Sequence, residues 1–267
     1  MASSEWKMAS RKVVSDKWEE LFVVCRLLFV VFRRSDRVLC LLPCCLDALM
    51  PRCLLCTFAR NLNNMKALLL IDIQNDFLPA GALPVPEGDA IIPVVNRLLN
   101  YFEVVAATQD WHPADHKSFA SNHPGKRPFE HVDINGTKQT LWPTHCVQGT
   151  PGAGFPADLN TKPVQTIFRK GTHIDIDSYS GFYDNDRRSP TGLAGYLREK
   201  KVEELYLVGL AGDICVFATA MDSLEEGFKT YIIEDATRPL SADNYNFFMQ
   251  EFTAKGGMLI QSNEETE

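Results

Sequence analysis

The chain has 267 residues, 45% of them hydrophobic, enough to fill the core of one large domain or two smaller ones. A formal charge of −7 argues against the basic face of a nucleic-acid binder and leaves small-molecule chemistry as the better fit. That charge is uneven: residues 1–65 hold ten Lys/Arg and six Asp/Glu, whereas the remaining 202 hold 17 and 28.

The first part also carries six of the eight cysteines: Cys25, Cys40, Cys44, Cys45, Cys53 and Cys56. Its apolar runs, LFVVCRLLFVVF and VLCLLPCCL, are interrupted by Arg26, by RRSDR and by Pro43. Neither reaches the roughly 18 uninterrupted apolar residues of a membrane span. A secretory signal would need a single short apolar core and a small-residue cleavage site, and a transit peptide would lack Asp16, Glu19 and Glu20. Cys53 and Cys56 make half of a zinc motif, with no second pair at suitable spacing. Residues 1–64 are therefore expected to be a Cys-rich extension outside the fold. The segment MKALLLID, opening at Met65, reads as the start of a domain running to residue 267.

From Lys66 the pattern is regular. KALLLID predicts a strand, and EGDAIIPVVNRLLNYF, with apolar residues at helical spacing, a helix. EVVAATQD and VQTIFRK are the next two strands, followed by a helix over TGLAGYLREKK and a strand over EELYLVGL. A helix after Gly212, a strand at KTYIIED, a helix at SADNYNFFMQEFTAKG and a strand at GGMLI complete the alternation. Strands this uniformly apolar are buried on both faces, so the expected fold is α/β: a doubly wound, three-layer domain with a mainly parallel sheet flanked by helices. Residues 110–163 and 171–190 follow strands and are too long to be plain connections, which marks them as site-forming.

The strand ends bear reactive side chains. Asp72 closes the first strand, Lys170 closes VQTIFRK, and Cys215 lies just past EELYLVGL. A parallel sheet brings such ends to one edge, where an acid, a base and a thiol can meet. Any one of them alone reads as a helix cap, a solvated strand end or a small buried hydrophobe. The six histidines all fall between positions 112 and 173. Asp110 and His112, two apart on extended chain, point to one side and can chelate an ion, and His145 returns from the far end of the same loop. Imidazole with carboxylate suits zinc, iron or manganese. His123, His131 and His173 are read as exposed loop residues.

Six ordered blocks, LLIDIQNDF, TQDWHPADH, WPTHCVQGTPGAGF, FRKG, DSYSGF and GLAGDICV, resemble the nicotinamidase/pyrazinamidase family of the isochorismatase-like cysteine hydrolases. The resemblance runs from about Lys66 to Ile260. It implies a catalytic Cys215 with Asp72 and Lys170, and metal ligands Asp110, His112 and His145, with His116 as a further ligand found in some members. It also implies an oxyanion site at the backbone amides of Ala211 and Cys215, a cis peptide between Leu210 and Ala211, and a pyridine pocket lined by Phe77, Trp142 and Tyr179. The implied reaction is hydrolysis of nicotinamide to nicotinic acid and ammonia through a cysteine thioester, within NAD salvage, with pyrazinamide as another substrate. One divalent ion, zinc before iron or manganese, would hold the pyridine nitrogen. The helix N-terminus and the Lys170 ammonium are expected to favour the thiolate.

Two alternatives keep part of this residue set. A related cysteine amidase acting on a carbamoyl or other small amide would retain Cys215, Asp72 and Lys170. A non-catalytic metal-binding module would need neither Asp72 nor Lys170. The expected setting is cytoplasmic, with Cys146 and Cys215 unpaired and no membrane or nucleic-acid partner for the domain. A homo-oligomer is compatible with the sequence.

Overall fold

A computed structural model describes residues 65–134 and 136–265. The extension expected over residues 1–64 lies outside the described residues. The elements in chain order are β1 (Met65–Ile71), α1 (Ile92–Leu98), β2 (Val104–Asp110), β3 (His131–Ile134), β4 (Thr137–Thr140), β5 (Thr166–Lys170), α2 (Leu193–Glu199), β6 (Val202–Gly209), α3 (Phe217–Glu225), β7 (Lys229–Thr237), α4 (Ala242–Ala254) and β8 (Met258–Ile260).

Six strands form one sheet in the order β5-β2-β1-β6-β7-β8, every neighbour parallel. Strand periodicity then sorts the apolar residues. Leu68 and Leu70 of β1 pack on one face with Val95 and Leu98 of α1. Ala67, Leu69 and Ile71 pack on the other with Leu197 of α2, Ala220 of α3 and Phe252 of α4. This two-sided burial is why β1 reads as an unbroken apolar run rather than an alternating one. Each Leu or Ile so buried contributes about 1.5–3 kcal/mol, and Leu69→Ala would cost about 2–5 kcal/mol through the cavity it leaves. No helix among the described residues is long and apolar enough to cross a membrane.

Two local features depart from the sequence expectation. The first helix is shorter than EGDAIIPVVNRLLNYF: only Ile92–Leu98 is α-helical, and tight 3₁₀ turns flank it at Gly88–Ile91 and Leu99–Tyr101. Pro93 has no N–H to bond a preceding turn, which suits a helix start at this point. Within residues 110–163, β3 and β4 form a small antiparallel hairpin. Its strands are short, mostly polar and largely half-buried, so no apolar run announced them, although the sequence between them carries Asn135-Gly136, a hairpin-turn dipeptide.

The chain passes from β1 outward to β2 and β5, then crosses to β6 and continues outward to β7 and β8 on the other side. The order therefore reverses between β1 and β6. A crevice at the carboxyl edge of the sheet is expected at such a reversal, and four neighbouring strands, β5, β2, β1 and β6, deliver their terminal residues there.

Candidate active site

Asp72, one residue beyond β1, has a left-handed φ of 46°, a conformation that short polar side chains tolerate. Thr108 of β2 holds it there: the Asp72 amide donates to Thr108 Oγ1 at 3.2 Å, and that hydroxyl donates to Asp72 Oδ1 at 2.7 Å. Asp72 Oδ2 accepts no hydrogen bond and lies 2.9 Å from Lys170 Nζ. Lys170 also meets Asp110 Oδ1 at 2.5 Å, the carbonyl of Ser178 at 2.8 Å and Cys215 Sγ at 3.5 Å. Sγ and a carboxylate oxygen from each of Asp72 and Asp110 all lie within 4.8 Å of one another. The structure thus brings Asp72, Lys170 and Cys215 into one buried cluster.

Cys215 sits in a widened turn, Gly212–Val216, where the amides of Ile214 and Val216 both donate to the Ala211 carbonyl, at 3.0 and 3.1 Å. The turn runs directly into α3. The peptide bond between Leu210 and Ala211 is cis. At Gly209, with φ of 128°, an added Cβ would fall 2.1 Å from the Ile71 carbonyl oxygen, so only glycine lets β6 approach β1 this closely.

The charges in this cluster are set by burial and by one another. Burial opposes the Lys170 ammonium, but Asp110 and Asp72 outweigh it and hold its pKa well above the ordinary value. Burial lifts Asp72 to about 6, against the pull of Lys170. Burial also works against ionised Asp110, yet Lys170 and His112 keep its carboxyl well below the usual range. Burial pushes the Cys215 thiol well above its ordinary value, with Lys170 acting the other way and Asp72 and Asp110 adding to the rise. Lys170 thus favours the thiolate as expected, but burial acts against it and dominates. Burial is the main cause, with the two carboxylates adding to it and one ammonium opposing it.

A second cluster adjoins the first. Lys170 takes one oxygen of Asp110, and the other, Oδ2, faces His112 Nε2 at 3.6 Å and His145 Nε2 at 3.8 Å. The far nitrogens, Nδ1, lie against backbone carbonyls: His112 against Gly171 at 2.9 Å and His145 against Pro143 at 2.7 Å. Both contacts place the ring proton on Nδ1 and turn the Nε2 lone pair toward Asp110, as backbone carbonyls do behind metal-ligating histidines. Gly171 has φ of 63°, and a Cβ there would meet the His112 ring at 2.2 Å. Burial opposes protonation of His112, but the Asp110 carboxylate prevails and raises its affinity for a proton; the same field attracts a metal cation. Three donor atoms aimed at one point, two nitrogens and one oxygen, fit a divalent ion of the zinc, iron or manganese type.

His116 is placed differently. Its ring lies 4.5 Å from that of His112, but Nδ1 is 2.7 Å from Ser118 Oγ and Nε2 is 3.3 Å from the Ile176 carbonyl. It falls within ligand range of His112 and Asp177 rather than of the Asp110 and His145 pair. His131 and His173 are exposed as expected, whereas His123 is half-buried, with Nε2 against the Lys117 carbonyl at 2.7 Å.

Above these clusters lies a cleft lined mainly by apolar and aromatic side chains, the make-up usual for small-ligand pockets. Phe77, Trp142 and Tyr179 line it together with Asp110, His145, Ala211 and Cys215. The Tyr179 hydroxyl accepts from Trp142 Nε1 and Gln139 Nε2, both at 3.2 Å, which fixes one aromatic wall. Phe77 packs on His145 with ring centroids 5.5 Å apart. The sequence reading did not identify Leu83, Val85, Asp177, Ile214 and Leu240, which complete the lining. It also missed Gln74, buried beneath the metal-type cluster, whose side chain donates to the Asp110 carbonyl and accepts from the Asp110 amide. Both Gln74 contacts are with backbone, and the wall residues come from separate loops, so spacing alone gave no signal for either.

The isochorismatase domain family matches residues 66–264. A nicotinamidase from Acinetobacter baylyi is 45% identical over 200 residues, spanning 74% of this chain and 94% of that protein. A solved nicotinamidase/pyrazinamidase from Acinetobacter baumannii matches with a TM-score of 0.73 and 46% identity, covering 75% of this chain and 98% of the other. The Pyrococcus horikoshii pyrazinamidase, solved in complex with zinc, matches with a TM-score of 0.61 and 38% identity over 73% and 98% of the two chains. With its parallel sheet and a family match over nearly all of the described residues, the chain belongs to the isochorismatase family.

Proposed function

We propose that this protein is a nicotinamidase, hydrolysing nicotinamide to nicotinic acid and ammonia, with pyrazinamide as a second substrate. The observation that carries the reading is the thiol, carboxylate and ammonium in contact at the floor of an aromatic cleft. Asp72 Oδ2 takes the Cys215 proton as Sγ attacks the carboxamide carbon. The oxygen then gathers charge facing the Ala211 and Cys215 amides, a donor pair whose members are each typically worth about 3 kcal/mol. Asp72 passes its proton to the departing nitrogen, the C–N bond breaks, and ammonia leaves a thioester on Sγ. Water attacks that thioester, Asp72 receives its proton, and nicotinic acid departs as the thiol re-forms. Lys170 stays charged throughout and offsets the negative charge that moves between Asp72 and sulfur.

Asp110, His112 and His145 would hold one divalent ion, with zinc supported by the zinc-bound Pyrococcus horikoshii relative. When bound, the ion supplies an electrophilic anchor for the pyridine nitrogen. Phe77, Trp142 and Tyr179 would clamp the ring between aromatic faces. An aromatic cleft beside a metal-type cluster favours a planar heteroaryl amide over an aliphatic carbamoyl compound. The catalytic unit is residues 65–267, and a thiol that must stay reduced suits a cytoplasmic enzyme in NAD salvage. Ammonia and nicotinic acid released in equal amounts from nicotinamide, and lost in Cys215→Ala, would support this function. Equal release by the variant would refute it.

A further inference from the structure

The catalytic cleft does not end at its mouth. Trp142, Tyr179, Ile214 and Leu240 line both the cleft and a second, outer groove. Its lining mixes polar side chains with an aromatic group, Phe129, Phe217 and Phe248. Phe129, 56% exposed, stands edge-on to Trp142 with centroids 6.0 Å apart, and Phe217 stacks on Phe248 at 4.4 Å, near Met221.

The ionic groups around the groove are already engaged within the fold. Arg187 pairs with Asp222 and Glu225. The Asp184 carboxylate accepts from the amides of Arg188 and Ser189 at 2.7 and 3.0 Å. That of Asp213 accepts from the amides of Leu240 and Ser241, also at 2.7 and 3.0 Å. A charged ligand would have to compete for these partners, whereas a neutral aromatic group would meet the Phe129, Phe217 and Phe248 rings directly.

Which part of a substrate reaches this groove follows from ring geometry, and rests on the pyridine-amide reading above. The ring nitrogen, the carbon bearing the carboxamide and ring position 5 are mutually meta, so they point a third of a turn apart. The nitrogen faces Asp110 and His145 and the carboxamide faces Cys215, all of which line the inner cleft. Position 5 then points away from both the metal-type cluster and Cys215, and Trp142, Tyr179, Ile214 and Leu240 are the lining shared with the groove. We infer that the outer groove is a subsite for a neutral aryl substituent at position 5, so that the substrate class extends to 5-aryl-pyridine-3-carboxamides. Position 2 lies between the metal-type cluster and Cys215, and position 6 lies beside the metal-type cluster, so neither admits such a group.

The test compares nicotinamide with its 2-, 5- and 6-phenyl derivatives. Binding to metal-loaded Cys215→Ala is measured by calorimetry, and turnover and competition are measured with the native enzyme. The 5-phenyl compound should bind at least as tightly as nicotinamide and be hydrolysed, while the 2- and 6-phenyl isomers bind about a hundredfold more weakly. Phe129→Ala and Asn244→Trp alter exposed groove residues outside the inner cleft. Both should leave nicotinamide binding and turnover unchanged and weaken the 5-phenyl compound about tenfold. Normal handling of nicotinamide with no preference for the 5-phenyl isomer, or with insensitivity to both groove variants, would overturn the subsite alone. Failure to bind or hydrolyse nicotinamide itself would overturn the pyridine-amide reading beneath it.

Discussion

Replacing Asp72 by asparagine should remove proton transfer and leave the rest of the site in place. The amide has the same shape, tolerates the left-handed φ of 46°, and can still accept from Thr108 Oγ1, now 2.7 Å from Oδ1. Lys170 keeps Asp110 and the Ser178 carbonyl as partners. The loss is the buried carboxylate proposed to take the proton of a thiol whose pKa burial raises. A positioned base is typically worth about 10²–10⁴ in rate, or roughly 3–5 kcal/mol of transition-state stabilisation.

Stability should move in the opposite direction. Burial, opposed by Lys170, raises the Asp72 pKa from 3.8 to about 6, which at 1.36 kcal/mol per unit is about 3 kcal/mol. Because the folded pKa lies above the unfolded one, this contribution is fully present below about pH 4 and is lost as pH rises through about 6. Asparagine suffers no such loss. The variant should therefore gain stability relative to the native protein between pH 4 and pH 7, by up to about 3 kcal/mol. Initial rates of ammonia release, with urea melts at both pH values, measure the two effects together. A variant retaining more than about a tenth of native kcat would refute Asp72 as the base. A variant that loses stability relative to native on going from pH 4 to pH 7 would refute the electrostatic account.

Native kcat/KM should fall about tenfold per pH unit below about 6, as Asp72 protonates; a profile flat down to pH 5 would contradict that assignment. His112→Ala should lower metal content and weaken nicotinamide binding, yet leave Cys215 open to alkylation by iodoacetamide, because His112 does not contact the thiol cluster except through Asp110. Gln74→Ala frees the Asp110 backbone at two points, and should cost about 10–100-fold in metal affinity with the fold retained; unchanged affinity by metal titration would show that Gln74 only packs. A chain starting at Met65 should turn over nicotinamide at the native rate, since every proposed site residue follows it, and a folded but inactive truncation would refute that boundary.

Much of this architecture could be read from residue pattern because the chemistry is concentrated at strand ends. Each central strand is a short apolar run buried on both faces, so its end is visible in the sequence, and Asp72, Asp110, Lys170 and Cys215 stand at or just past such ends. Parallel pairing then carries them to one edge without any need to know the loops. What escaped the reading depends on tertiary detail. The β3–β4 hairpin is mostly polar and largely half-buried, so only its Asn-Gly turn signals it. Leu83 and Val85 reach the cleft from the loop after β1 and Leu240 from the loop after β7, and no periodicity links the two loops. The protonated state of Cys215 depends on depth of burial and on two neighbouring carboxylates, neither of which the strand-to-helix junction reveals. His116 shares its loop with His112, yet its ring nitrogens face Ser118 and Ile176.

The central claim is that Cys215 attacks the amide and carries the acyl group. Acid quenching of the enzyme during nicotinamide turnover, followed by peptide mass spectrometry, tests it directly. The account predicts one nicotinoyl group on the peptide containing Cys215, removable by hydroxylamine as the hydroxamate, and absent from Cys215→Ala and from enzyme quenched without substrate. Steady turnover with no acyl adduct, and no hydroxamate formed when hydroxylamine is present throughout the reaction, would contradict it and leave direct attack by water as the reaction this site performs.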